Sequence, residues 1–113
     1  MMKKLFDIIF LEEAFNFLKI LDSKHSEKII YNIRKSQTKN DSQLFKKLND
    51  EVWEFRTLYK GNQYRLLAFW DKRNSQNTLV VSTHGFIKKQ SKVSDKEIDR
   101  ATKIRLNYFE DKD

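Results

Sequence analysis

The apolar residues change period once along the chain, and that change divides it into a helical half and a strand half. After Glu12-Glu13, Ala14, Phe17, Leu18 and Leu21 recur at three and four, followed by Ile29, Ile30 and Ile33. From Leu44 onward the signal becomes alternation. Trp53, Phe55 and Tyr59 fall on one side of a run whose other side carries Glu54 and Arg56. A second run places Tyr64, Leu66, Ala68 and Trp70 against Arg65, Leu67 and Phe69; being apolar on both faces, it suits a central strand. A third opposes Leu79, Val81 and Thr83 to Val80, Ser82 and His84. With turn chemistry at Lys60-Gly61-Asn62 and a polar connection over 71–77, these three runs predict an antiparallel meander.

The remaining segments complete the plan. Leu5, Phe6, Ile8, Ile9 and Phe10 form a short β-prone run, read as a first strand. Asp22-Ser23-Lys24-His25 breaks the first helix, and Ser26 is the expected N-cap of the second; 36–43 is a polar loop. Near the C-terminus Ser94 and Glu97 have capping-box spacing, Val93 and Ile98 occupy staple positions, and Ile98, Ala101, Ile104 and Tyr108 trace a buried stripe. Glu110 to Asp113 should fray. The order βααβββα predicts one α+β domain over residues 1–113, a small antiparallel sheet with two N-terminal helices and one C-terminal helix, all packed against one face.

Composition narrows the chemistry. Lys and Arg total 23 against 16 Asp and Glu, a formal charge of +7, which favours polyanionic partners, nucleic acid first. A lysine-rich surface kept for solubility explains the same number. No cysteine is present, so disulfides and thiolate metal sites are excluded and a cytoplasmic setting is expected. Two histidines and no carboxylate cluster at ligand spacing predict no metal site, and two glycines leave no phosphate loop, so no cofactor is expected. Lys3-Lys4 ahead of an apolar run mimics a signal peptide, but Asp7 interrupts the run and no cleavage site follows. No stretch approaches the roughly 20 apolar residues of a membrane span.

Metal-free phosphodiester chemistry survives these exclusions. RNA carries its own nucleophile, the 2′-hydroxyl, so a site needs a proton acceptor, a proton donor and cations for the charge growing on phosphorus. Glu54, Arg56, Arg65 and His84 are the candidate catalytic set, and Lys46, Lys47, Lys88 and Lys89 the candidate substrate-binding set. Glu54 and Arg56, two apart on one strand, share a face that Arg65 and His84 can approach from neighbouring strands. Each has a plain structural reading too. Glu54 with Arg56 suits a surface ion pair worth less than about 1 kcal/mol, His84 a structural histidine, and Lys88-Lys89 a solvated pair. Trp53, Phe55 and Trp70 read as core rather than base-stacking platforms.

In combination these segments are distinctive. Leu44-Phe45-Lys46-Lys47-Leu48, Val52-Trp53-Glu54-Phe55-Arg56, Tyr64-Arg65-Leu66-Leu67, His84-Gly85-Phe86-Ile87-Lys88-Lys89 and Glu97-Ile98-Asp99-Arg100-Ala101 resemble the RelE/HigB-type toxins of bacterial toxin–antitoxin modules, in particular their phage-derived branch. The likeness covers about residues 44 to 108 in motif detail. It implies the RelE-like fold and ribosome-dependent endoribonuclease cleavage of messenger RNA. It also implies neutralisation by a cognate antitoxin, usually of helix-turn-helix type. Arg56 and Arg65 match basic positions that hold the scissile phosphate, Glu54 matches a variable carboxylate or basic position beside them, and His84 with Lys88-Lys89 matches the polar end of the last strand. One departure is that Gln90-Ser91-Lys92-Val93 supplies no tyrosine where many relatives carry a catalytic one, so His84 is expected to cover that role. Two other readings of the same fold stand beside the nuclease: a non-catalytic poison of a protein target such as DNA gyrase, and an inactive prophage relic.

Overall fold

The computed structural model describes residues 3–74 and 78–111. Eight elements follow in order: β1 (Asp7–Phe10), α1 (Glu12–Ile20), α2 (Ser23–Ser36), β2 (Phe45–Lys47), β3 (Trp53–Tyr59), β4 (Asn62–Asp71), β5 (Leu79–Lys88) and α3 (Asp95–Glu110). The strands form one sheet in the order β1-β5-β4-β3-β2. This is the expected α+β class and RelE-like layout, with three corrections.

First, the sheet is mixed and has a fifth strand. β1 runs parallel to β5, with Asp7 beside Leu79 and Phe10 beside Ser82, because the helix pair returns the chain before the meander begins. β2 is three residues long, too short for alternation to reveal it; it is held by Phe45, whose ring stacks on Phe55 at 4.3 Å.

Second, helices cover both faces. Ala14 and Leu18 of α1 and Ile29 and Ile33 of α2 pack with Phe6, Phe45, Phe55, Leu66 and Val80, whereas Ala101 and Ile98 of α3 pack with Leu67, Val52 and Val93 on the opposite face. A central strand apolar on both sides, as β4 is, requires cover on both.

Third, Asp22 rather than Ser26 caps α2. Its carboxylate accepts from the Lys24 backbone N–H at 3.0 Å, and the Ser26 hydroxyl donates back to the Leu18 carbonyl, tying α2 to α1.

Local geometry aims the site. Lys60 and Gly61 have φ of 52° and 80°, the left-handed pair that a two-residue hairpin needs to match strand twist. Between β4 and β5 the register slips: Leu67 pairs with His84 but Ala68 pairs with Ser82, leaving Thr83 as an extra residue. This β-bulge breaks the alternation that grouped His84 with Val80 and Ser82. Val80 stays in the core beneath α1 and α2, while His84 turns to the α3 face beside Leu67. At Gly85 the Phe17 ring lies so near that an added Cβ would be 2.8 Å from its Cγ, so glycine here lets α1 ride directly on β5.

The far end of α3 is latched to the end of β4. Tyr108 donates its hydroxyl hydrogen bond to Asp71 at 2.8 Å, Arg73 donates to both Asp71 oxygens at 2.7 and 2.9 Å, and the Arg73 guanidinium lies 4.8 Å from the centre of the Phe109 ring. The Arg73 hydrogen bonds, joined by that of Tyr108, hold the Asp71 carboxyl well below the usual carboxylate range.

Candidate functional site

Strand pairing lines up three rows of side chains on the α3 face, beyond the helix itself. Lys46, Glu54, Leu67 and His84 form the first, Arg56, Arg65 and Phe86 the second, and Gln63 with Lys88 the third. Arg56 and Arg65 stand directly opposite each other, a like-charge pairing that is unfavourable by itself. Glu54 offsets it. Its Oε1 is 3.0 Å from Arg65 Nε and its Oε2 is 3.8 Å from Arg56 Nε.

Both members of the shorter pair are buried, Glu54 at 4% and Arg65 at 3% exposure. The Arg65 guanidinium is also fixed by donating to the Tyr64 carbonyl at 3.0 Å and to Gln63 Oε1 at 3.1 Å. Yet Glu54 Oε1, Arg65 Nε and Arg56 Nε are buried without an aligned hydrogen bond. Buried polar atoms are rarely left so, and three together mark a place where protein geometry is held away from its own optimum. Burial pulls the Arg65 guanidinium below its ordinary value, against the opposing attraction of Glu54.

Lys88 completes the cluster. Its ammonium is pushed below the usual lysine value first by burial and then by Arg65, with Arg56 and Lys46 adding to the repulsion and Glu54 opposing it. Four cations therefore surround one carboxylate. Such an excess of positive charge, partly withdrawn from water, favours an anion with several oxygens.

His84 is placed differently from what its sequence position suggested. It is 1% exposed, its Nε2 is 2.9 Å from Glu97 Oε1, and its Nδ1 is 3.0 Å from Thr83 Oγ1. The carboxylate can only accept, so Nε2 carries the proton. Burial lowers the His84 pKa, partly countered by Glu97. With both ring nitrogens engaged beneath α3, it ties β5 to α3. The capping box is correspondingly half-formed: the Ser94 hydroxyl accepts from the Glu97 backbone N–H at 3.4 Å, but the Glu97 carboxylate goes to His84.

Of the lysines expected to bind substrate, Lys46 projects beside Glu54 and Lys88 lies within the cluster. Lys89, just past the end of β5, is exposed at a shallow depression. Lys47 pairs with Trp53, so its side chain points to the other face, 3.9 Å from Asp50, and it does not join them. Sequence reading overlooked Gln63 and Phe86, although each lies two residues from a chosen residue on the same strand face. Glu97 was hidden by its capping role. Among the described residues no three His, Cys, Asp or Glu side chains gather to hold a metal ion, and no helix is long and apolar enough to cross a membrane.

A mixed sheet covered on both faces, with a partly buried cationic cluster at the open end of its meander, defines a small α+β protein of RelE-like layout. Residues 16–106 match the family described as Phage derived protein Gp49-like (DUF891), and the chain belongs to that family, which is associated with RelE-type toxins. No curated protein matches it.

Proposed function

We propose that this chain is the toxin of a toxin–antitoxin module, a RelE-type protein of the phage-derived HigB-like branch. In this reading residues 1–113 act as one domain, a metal-independent endoribonuclease that cuts messenger RNA on the ribosome. The observation that carries the proposal is the gathering of Arg56, Arg65, Lys46 and Lys88 around the buried Glu54 carboxylate.

Arg56 and Arg65 exchange a poorly aligned ion pair for the non-bridging oxygens of the scissile phosphate, where charge grows in the transition state. Glu54 takes the proton of the ribose 2′-hydroxyl. That oxygen bonds to phosphorus, the bond from phosphorus to the 5′-oxygen breaks, and Lys88 protonates the leaving oxygen. The products are a 2′,3′-cyclic phosphate and a 5′-hydroxyl, and solvent restores Glu54 and Lys88. Lys88, first expected only to bind, suits proton donation because its lowered pKa brings it nearer the working pH. His84 serves as a positioning residue, Lys46 and Lys89 meet flanking phosphates, and Lys47 has no part. The ribosome orients the substrate, an effect worth several kcal/mol of barrier. A cytoplasmic location and a cognate antitoxin, of helix-turn-helix type, belong to the same reading.

Purified protein mixed with programmed ribosomes should yield discrete cuts by primer extension, and Arg65→Ala should abolish them. Arg56→Ala, at the more exposed arginine, guards against simple unfolding. Absence of cuts by the parent, or unchanged cutting by folded variants, would refute the assignment. The burial of Glu54 and His84 favours the non-catalytic alternative. Growth arrest with DNA damage and intact messenger RNA would point to a poison of a protein target such as gyrase, and unchanged growth to a relic.

A further inference from the structure

Beside the cationic cluster, a depression of about 160 Å³ opens between the end of β5 and the start of α3, lined by Phe86, Lys88, Gln90, Lys92, Ser94 and Glu97 among others. Two of its walls belong to the cluster: Phe86 pairs with Arg65 across the strands, and Lys88 feels Arg65, Glu54 and Arg56. A group covalently attached to a phosphate held by the arginines would therefore lie over this hollow.

The lining is that of a flat, polar-edged ligand. Phe86 is half-buried, lines the hollow and lies 5.8 Å from the His84 ring at an interplanar angle of 29°, so a positioned aromatic ring is at hand for stacking. Glu97, also in the lining, brings a carboxylate whose Oε1 is shared with His84 Nε2, so the carboxylate is held in place while its other oxygen has no partner among the described residues. The Glu97 side chain is 26% exposed, enough to reach a ligand yet shielded enough for the contact to matter.

We propose that this hollow is a nucleobase subsite selecting guanine, with Phe86 stacking on the base, Glu97 accepting from its N1–H and N2–H groups, and Lys92 donating to O6. Guanine alone among the four RNA bases presents two adjacent donors on its Watson–Crick edge, the complement of one carboxylate. Adenine and cytosine offer one donor beside an acceptor that the carboxylate repels. The proposal rests on the nuclease reading for its biological meaning, though its physical test does not.

The test is titration of the purified protein with GMP, AMP, CMP and UMP, followed by NMR or calorimetry. GMP should bind about tenfold or more tighter than the others, the discrimination expected of a good bidentate contact. Glu97→Gln keeps an acceptor for His84 but replaces one oxygen with a donor, and should erase the preference while retaining binding through the phosphate. Lys92→Ala, at an exposed position, should narrow the gap between GMP and AMP even if Glu97→Gln does not fold. Equal or undetectable binding of the four nucleotides, or an unchanged preference in the folded variants, would overturn the subsite. Ribosome cleavage separates the two ideas: cuts without neighbouring guanine reject the subsite alone, and guanine-selective binding without any cuts rejects the nuclease alone.

Discussion

Arg65 Nε stands 3.0 Å from Glu54 Oε1, both buried, and neither atom makes an aligned hydrogen bond. The pair is thus an electrostatic necessity more than a fitted contact. Each buried charge is tolerable only because the other is there, and the second arginine stands directly opposite the first.

Removing one partner should be far worse than removing both. Glu54→Ala leaves Arg65 and Arg56 facing each other with no compensating charge and should lower stability by about 3 kcal/mol, whereas Glu54→Met with Arg65→Met should recover most of that loss. Urea denaturation of the parent, Glu54→Met, Arg65→Met and the double variant measures the coupling, and additive losses would contradict it.

Lys88 should titrate below the ordinary lysine value, because burial and the neighbouring arginines both disfavour its charge. NMR titration of labelled lysine side chains should place it below the ordinary value of 10.5, and inorganic phosphate should move it upward by neutralising its neighbours. In the proposed reaction the protonated form is the useful one, so cleavage should decline as pH rises through that lowered pKa, and Lys88→Arg, which keeps the charge but does not give up a proton, should cut cleavage sharply.

His84 makes the fold sensitive to mild acid. Its pKa in the folded protein lies below the ordinary histidine value of 6.5, so between the two the unfolded chain binds more protons. Stability should accordingly be complete above 6.5 and fall as pH drops below it, with a slope of at most about 1.4 kcal/mol per pH unit from this one group. Replacing His84 by Gln should flatten thermal stability over that window; an equal slope in the variant would show that other groups are responsible.

Gly85→Ala tests the contact that seats α1. A Cβ there would meet Phe17 Cε2 at 2.9 Å and Cγ at 2.8 Å, and the ring is confined by its edge-on packing with Tyr64 at 6.3 Å. A loss of about 1–3 kcal/mol is expected, with partial rescue by Phe17→Leu. Circular dichroism melts of the single and double variants suffice to read it.

Much of this architecture is legible in the order of residues. The helical period over Ala14 to Ile33, the alternation through Tyr64 to Trp70 and the turn at Lys60-Gly61 are local signals, set by side-chain direction and backbone sterics within a few residues, and the elements form where they predict. The charged set Glu54, Arg56 and Arg65 was likewise visible, because residues two apart on a strand must share a face and neighbouring strands must meet.

Other features depended on distant contacts. The bulge at Thr83 moved His84 onto the α3 face, and Glu97, which reads as half of a capping box, reached across to hold it. The three-residue β2 exists only because Phe45 finds Phe55, and Lys47 left the cluster through the same pairing that placed Lys46 in it. Local sequence determined which segments were helix or strand and which faces were apolar. Register, burial and the pairing of charges were decided by tertiary structure, since a one-residue slip reverses a strand's faces and a charge's surroundings arise from chain far away.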